Sequence, residues 1–235
     1  TRKPAAYLLN RTYIQGVPFY VDERAIVPRS FIGELLMTGL ADPDRGLIDD
    51  PDAVGNVLDL CTGGGSLAIL AARVFPNARI DAVDLSADAL AVAARNVEEH
   101  GLEDRITLHH GDLFAPLLKR QRYDLILTNP PYVTQRAVAA FPPEYAAEPV
   151  MAHLGGENGL DLVAQILEQA PARLASGGGL VCEIGMGRET LEAMRPDLPF
   201  LWLDTATSAG EVFWLSAADF LTKPTPKAAK AAPRR

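Results

Sequence analysis

The chain has 235 residues, of which 48% are hydrophobic and 22% are charged, enough for one full hydrophobic core and an additional small lobe. Its longest apolar runs fall far short of the roughly 20 residues needed to cross a bilayer, so no membrane span is expected. A formal net charge of −8 disfavours binding to a long phosphate backbone. The two cysteines, Cys61 and Cys182, stand in apolar runs without the close spacing of a zinc site or a redox pair. We interpret both as core residues of buried strands in a cytoplasmic protein.

Strand-like and helix-like patterns alternate along the chain. The predicted strands cover residues 55–60, 79–85, 106–110, 123–128, 179–184, 200–204 and 211–216, and the predicted helices cover residues 66–74, 86–100, 159–175 and 188–194. Strands separated by helices of this length form a mostly parallel sheet with helices on both faces. The last two strands, joined by a short connector, indicate an antiparallel hairpin at the sheet edge. The sequence therefore predicts an α/β fold with a mostly parallel seven-stranded sheet and an antiparallel C-terminal hairpin.

The first predicted strand runs into a glycine-rich turn that opens the first predicted helix. The candidate ligand-binding residues of this run are Asp59, Cys61, Thr62, Gly63, Gly64 and Gly65. Glycines let a ligand approach the backbone, and a helix N-terminus presents free N–H groups. Asp84 ends the second strand about 20 residues later, where a carboxylate can accept hydrogen bonds from two ribose hydroxyls. An ordinary tight turn and a helix cap ahead of Ser86 are the alternative interpretations of these two features.

The glycine spacing and the next motif distinguish a dinucleotide from a methyl donor that contains adenosine. A dinucleotide fingerprint reads G-x-G-x-x-G, but the final spaced glycine is missing here, which makes a dehydrogenase the minority interpretation. After the third strand, Asp112 can hold an adenine amino group while Leu113 lies against the ring; a polar strand-end turn is the alternative. Leu85, next to Asp84, completes this predicted adenosine-binding set. The pattern favours a methyl donor.

The most specific motif is Asn129-Pro130-Pro131-Tyr132, placed directly after the apolar strand at 123–128. The two prolines fix the backbone and remove two donors, so that carbonyl groups remain as acceptors. An NH2 group on an sp² carbon is a poor nucleophile until its hydrogens are held and its lone pair faces the methyl group. The Asn129 side-chain oxygen and the Pro130 carbonyl can each accept one N–H, while Tyr132 stacks on the planar group. The motif predicts transfer to a planar amide or amino nitrogen, with a strand-terminating turn as the alternative.

At these positions the sequence resembles the HemK/PrmB family of protein glutamine methyltransferases. The resemblance covers roughly residues 5–220 and includes DLCTGGG, Asp84, GDLF at 111–114, NPPY, VPRS at 27–30, EP at 148–149 and GGENGL at 155–160. It implies a Rossmann-like class I fold, S-adenosyl-L-methionine as cofactor, and a position for Arg29 beside the donor pocket. The alternative for Arg29 is a surface ion pair with Glu34. Glu183, at the end of a predicted strand, is interpreted either as a residue near the crevice or as a structural one.

Within this family, Ser30 and the run EYAAEP are more similar to the PrmB branch. That branch implies a ribosomal protein, the third of the large subunit, as the substrate that carries the target glutamine. A release-factor glutamine methyltransferase and an adenine amino-group methyltransferase acting on DNA or RNA stay as alternatives, as does a non-catalytic assembly factor. We expect a protein partner and neither a membrane nor sequence-specific nucleic-acid binding. No metal is expected, because the histidines share no ligand spacing on one helix face.

The family usually carries an N-terminal helical lobe that helps to bind the substrate protein, and only about 50 residues precede the first predicted strand here. Residues 1–50 are therefore interpreted as a remnant of that lobe with its linker, and residues 51–221 as the catalytic domain. Residues 222–235 alternate basic side chains with Ala, Pro and Thr. That composition has too little apolar area to offset the entropy of ordering, so a disordered tail is predicted.

Overall fold

The structure is a computed structural model that describes residues 2–42, 46–138, 141 and 147–221. Its strands are β1 (Thr12–Ile14), β2 (Val17–Phe19), β3 (Asn56–Leu60), β4 (Arg79–Asp84), β5 (Ile106–His110), β6 (Tyr123–Thr128), β7 (Leu174–Glu183), β8 (Leu201–Leu203) and β9 (Val212–Ser216). Its helices are α1 (Ala5–Leu9), α2 (Ile32–Thr38), α3 (Ser66–Val74), α4 (Ala87–Glu99), α5 (Gln135–Val138), α6 (Asp161–Gln169) and α7 (Arg188–Met194). The predicted tail at 222–235 lies outside the described residues. Within the described part of the chain, no helix is both long and apolar enough to cross a membrane.

Seven strands form one sheet in the order β5-β4-β3-β6-β7-β9-β8. The pairs from β5 to β7 are parallel, whereas β9 runs antiparallel to both β7 and β8. The predicted mostly parallel seven-stranded sheet with an antiparallel C-terminal hairpin is confirmed. Because the strand order turns back between β3 and β6, a crevice opens at the carboxyl ends of these two strands, which is where open α/β sheets bind ligands.

The sheet separates two hydrophobic clusters, and neighbouring strand residues alternate between them. Leu125 packs in the cluster that contains α2 and α3, and Ile126 packs in the cluster that contains α6 and α7. The side chains of α3 are buried from Ser66 to Ala72, which explains why this helix is mostly small and apolar and has no long polar face. Because the sheet is packed on both faces, the carboxyl ends of its parallel strands are held along one edge.

The chain before β3 joins the same core. The antiparallel pair β1–β2 turns at Gln15 and Gly16, both with positive φ, as a tight hairpin turn requires. Ile14 and Phe19 of this hairpin belong to the cluster of α2 and α3. The short elements α1, α2, α5 and the β1–β2 hairpin were not predicted from the sequence, because three- to seven-residue elements give little periodic signal. The proposed boundary between residues 1–50 and the catalytic domain stays a prediction.

Two predicted boundaries were wrong by several residues. The helix predicted over 159–175 ends at Gln169, and the strand predicted from 179 begins at Leu174. Pro171 follows in a single 3₁₀ turn, because proline has no N–H with which to continue an α-helix. The glycines at 177–179 lie inside β7. Gly179 is required there, since a β-carbon would collide with the Trp214 ring of β9.

Candidate active site

A cavity of about 870 Å³ lies at the carboxyl ends of the parallel strands. Its wall comes from the turns after β3, β5 and β6 and from the last residues of β4 and β7. The predicted site residues in this wall are Arg29, Cys61, Thr62, Gly63, Gly64, Asp84, Leu85, Asp112, Leu113, Asn129, Pro130, Pro131 and Tyr132. Segments that are far apart in the sequence therefore meet at one site.

The glycine turn after β3 has an unusual backbone. Cys61, Gly63 and Gly65 all have positive φ, at 58°, 55° and 81°. Cys61 was predicted to lie within a buried strand, but it follows β3, is half-buried and lines the cavity; Cys182 is fully buried in β7, as predicted. Gly65 has a packing role, because a β-carbon there would stand 3.2 Å from the side chain of Ala93 in α4. The turn thus brings the start of α3 close to α4 and exposes its own backbone to the cavity.

Asp59, the predicted first residue of the ligand-binding run, lies in β3 beneath this turn and is fully buried. Its Oδ2 accepts hydrogen bonds from the Thr62 hydroxyl at 2.5 Å and from the Ala68 backbone N–H at 3.0 Å. Burial raises the pKa of the Asp59 carboxyl to about 7. The side chain therefore braces the turn from below, linking β3 to the first turn of α3.

Asp84 accepts hydrogen bonds from two backbone segments and also lines the cavity. Its Oδ2 accepts the Gly63 N–H at 2.7 Å and its Oδ1 accepts the Ser86 N–H at 2.8 Å, while Ser86 caps α4 by accepting the Ala89 N–H. Burial raises the pKa of the Asp84 carboxyl. The carboxylate also lines the cavity, and each of its oxygens has a lone pair for a further donor. Asp84 therefore fixes the glycine turn and presents acceptors to a ligand.

Three predicted adenosine-binding residues surround the far side of the cavity. Leu85 is more than half exposed, Asp112 is exposed at the rim, and Leu113 is buried with a left-handed backbone at φ 44°. Together they offer two apolar surfaces and one carboxylate. This combination suits a flat ring that carries an amino group.

The side chains of the NPPY motif are held from two directions. The Asn129 amide donates from Nδ2 to the Arg29 backbone carbonyl at 3.2 Å, which leaves its oxygen as an acceptor. The Tyr132 hydroxyl donates to Glu183 Oε1 at 3.2 Å. The Tyr132 ring lies so close to Gly185 that a β-carbon there would stand 2.7 Å from the ring. The motif is thus a preformed acceptor group and a fixed aromatic surface.

The GGENGL segment packs on the backbone of this motif and of Val133, the residue after it. A β-carbon on Gly155 would lie 2.7 Å from the Pro131 carbonyl oxygen, and one on Gly159 would collide with the Tyr132 carbonyl. The Gly155 N–H donates to the Val133 carbonyl at 2.9 Å. Only glycine fits at these two positions, which explains why this segment accompanies NPPY in the sequence.

At the cavity wall, the partly exposed Arg29 side chain pairs with the buried carboxylate of Glu148. Its guanidinium contacts Glu148 at 2.6 Å, and His153 Nε2 lies 3.0 Å from the same carboxylate oxygen. Burial opposes ionisation of Glu148, but the hydrogen bonds from His153 and Arg29 outweigh it and lower the pKa of its carboxyl. The alternative partner Glu34 was wrong, since Glu34 accepts the Ala206 N–H instead. Sequence reasoning assigned no role to Glu148 and only a surface or packing role to His153; the EP motif was the available signal for Glu148.

No metal centre is evident in the part of the chain that the structure describes, where no three His, Cys, Asp or Glu side chains form a group able to hold an ion. The site offers a helix N-terminus, acceptors of N–H groups and an aromatic ring. These groups bind and orient ligands.

The fold and the site define a class I methyltransferase. Residues 35–142 match the family described as Methyltransferase small domain. Among solved structures, the methyltransferase from Pyrococcus furiosus has a similar fold, with a TM-score of 0.60 and 16% identity over 87% of this chain and 90% of that one.

Two curated relatives are much closer in sequence. Both are named ribosomal protein uL3 glutamine methyltransferase. The one from Bradyrhizobium diazoefficiens is 63% identical over 221 residues, which is 93% of this chain and 69% of the relative. The one from Burkholderia pseudomallei is 52% identical over 224 residues, or 93% of this chain and 72% of the relative. The chain belongs to this family of protein glutamine methyltransferases, and the resemblance noted from its motifs is confirmed.

Proposed function

We propose that the chain transfers a methyl group from S-adenosyl-L-methionine to the side-chain amide nitrogen of a glutamine in ribosomal protein uL3. The shared family name of the relatives supports the substrate. The observation that carries the chemistry is the arrangement of Asn129 and Tyr132, which are held by Arg29 and Glu183 at the cavity. The reaction takes place in the cytoplasm, where ribosomal proteins are made.

The cavity fits the proposed donor. Its volume lies in the range of ligand pockets, about 300–1,000 Å³. Backbone N–H groups at the start of α3 would face an anionic group such as the donor carboxylate, Asp84 would hold the ribose, and Asp112 with Leu113 would hold the adenine. When bound, the donor supplies an electrophilic methyl group on a sulfonium. The carboxylates in and around the cavity, Asp84 and Asp112 among them, suit that positive charge.

The protein's contribution to the transfer is orientation. The Asn129 oxygen and the Pro130 carbonyl each accept one N–H of the glutamine amide, and the Tyr132 ring covers its flat face. This arrangement turns the nitrogen lone pair toward the methyl group. Because the transfer would only move a positive charge from sulfur to nitrogen, with no new charge to stabilise, the protein's rate gain comes from alignment and from exclusion of water. The proton leaves to water after the transfer.

The proposed substrate is tested by comparing three methyl acceptors. Labelled donor is incubated with uL3 from cells that lack the methyltransferase, with unmodified release factor and with unmodified ribosomal RNA. We expect label in uL3 alone, and peptide mass spectrometry should place one methyl group on a single glutamine. A uL3 variant with asparagine at that glutamine is the matched control and should accept no label. Label in the release factor or in RNA would refute the proposed substrate.

A further inference from the structure

Glu183 is a buried carboxylate at the carboxyl end of β7, 1% exposed, in the wall of the cavity. Its Oε2 accepts hydrogen bonds from the Ser30 hydroxyl at 2.7 Å and from the Phe31 N–H at 2.9 Å. Its other oxygen accepts the Tyr132 hydroxyl. One side chain therefore connects the N-terminal segment, the central sheet and the NPPY motif.

The same carboxylate is connected to Asn129 by a second route. Ser30 and Phe31 directly follow Arg29, whose backbone carbonyl accepts the Asn129 amide. Holding the chain at residues 30–31 fixes the position of that carbonyl. The orientation of Asn129 thus depends on where Glu183 holds this segment.

A carboxylate in this position is costly, because burial raises the pKa of Glu183 and disfavours its charged form. Three donors on two oxygens offset that cost. The Tyr132 hydroxyl is not needed for stacking, since a phenylalanine ring has the same flat face. Its hydrogen bond to Glu183 instead limits the rotation of the ring.

We propose that Glu183 is a positioning residue for methyl transfer, which sets the plane of the Tyr132 ring with one oxygen and the segment that holds Asn129 with the other. This inference rests on the proposed function. Glu183 acts through Tyr132 and Asn129 and itself neither takes a proton from the acceptor nor contacts the methyl group. Its effect therefore belongs to the transfer step and not to donor binding.

The test is a double-mutant cycle on the full chain with uL3 as acceptor. It compares the wild type with Glu183→Gln, Tyr132→Phe and the double variant, by single-turnover transfer, donor binding and thermal melting. Glu189→Gln, an exposed glutamate on α7, is the matched control and should behave as wild type. We expect Glu183→Gln to slow transfer about tenfold or more while donor affinity stays within about threefold.

The double variant decides whether Glu183 acts through the tyrosine. Adding Tyr132→Phe to Glu183→Gln should slow transfer by less than about twofold further, since coupled residues are not additive. Independent multiplication of the two effects would overturn the inference, as would a Glu183→Gln variant that transfers at the wild-type rate per folded molecule. Equal losses of donor affinity and transfer would overturn it as well. If the wild type itself leaves uL3 unmethylated, the proposed function fails instead, so the two failures are distinguishable.

Discussion

Asn129→Ala separates donor binding from chemistry at this site. The substitution removes the amide oxygen proposed to hold one acceptor N–H, and it removes the 3.2 Å hydrogen bond to the Arg29 carbonyl. Alanine leaves the Pro130 carbonyl and the Tyr132 ring in place. The acceptor amide then binds with one of its two N–H contacts missing, and its lone pair is poorly aligned.

The magnitudes follow from these contacts. Losing a hydrogen bond to a partly exposed carbonyl costs about 0.5–1.5 kcal/mol of folding stability, which lowers the melting temperature by about 2–4 °C per kcal/mol for a chain of this size. Misalignment should slow transfer by a factor on the order of 100, equivalent to about 2.7 kcal/mol of activation free energy. Donor affinity should stay within about threefold, because the lost oxygen faces the acceptor.

Asn77→Ala is the matched control. Asn77 is exposed, and its amide also donates to a backbone carbonyl, that of Asp52 at 3.0 Å, far from the cavity. It should show a similar small loss of stability and normal transfer. Single-turnover transfer, donor titration calorimetry and thermal melts are measured for both variants. A folded Asn129→Ala protein that binds donor and transfers methyl at nearly the wild-type rate would refute the amide-holding role.

Three further outcomes are expected. Asp84→Asn should weaken donor binding by about 1.5–3 kcal/mol in calorimetry; unchanged affinity in a folded variant argues against the ribose assignment. The Asn96 side chain is 1% exposed and makes three hydrogen bonds to the backbone of Tyr20 and Gly64, which Asn96→Ala removes. Urea unfolding should show that the free energy of unfolding falls by about 2–4 kcal/mol. A fall well below about 1 kcal/mol would show that these hydrogen bonds do not stabilise the fold. Burial raises the pKa of Asp59 from 3.8 to about 7. Between pH 3.8 and about pH 7 the folded protein therefore holds a proton that the unfolded chain has lost. As the pH rises through this range, the free energy of unfolding falls. In Asp59→Asn this part of the pH slope should disappear, and an unchanged slope would show that another group is responsible.

Much of the site was predictable because it lies in short contiguous runs. The glycine turn, Asp84, the residues after β5 and the NPPY motif each lie at the carboxyl end of a strand, and in a parallel sheet those strand ends meet at one edge. The supporting residues were harder to find. Arg29 and Glu148 are separated by 119 positions, and neither side chain shows in its local pattern that it is paired.

The sequence by itself determined the strand and helix alternation, the parallel sheet and the position of the NPPY motif at a strand end, because periodic burial and turn residues act over a few positions. Only the tertiary structure decided which charged side chains are buried and which residues hold the NPPY motif in place. Glu183 meets Ser30 across 153 positions, and only the packing of the segment before α2 against the end of β7 brings them together. A carboxylate is stable there because three donors converge on it, and such convergence is a property of the packed chain that no local pattern encodes.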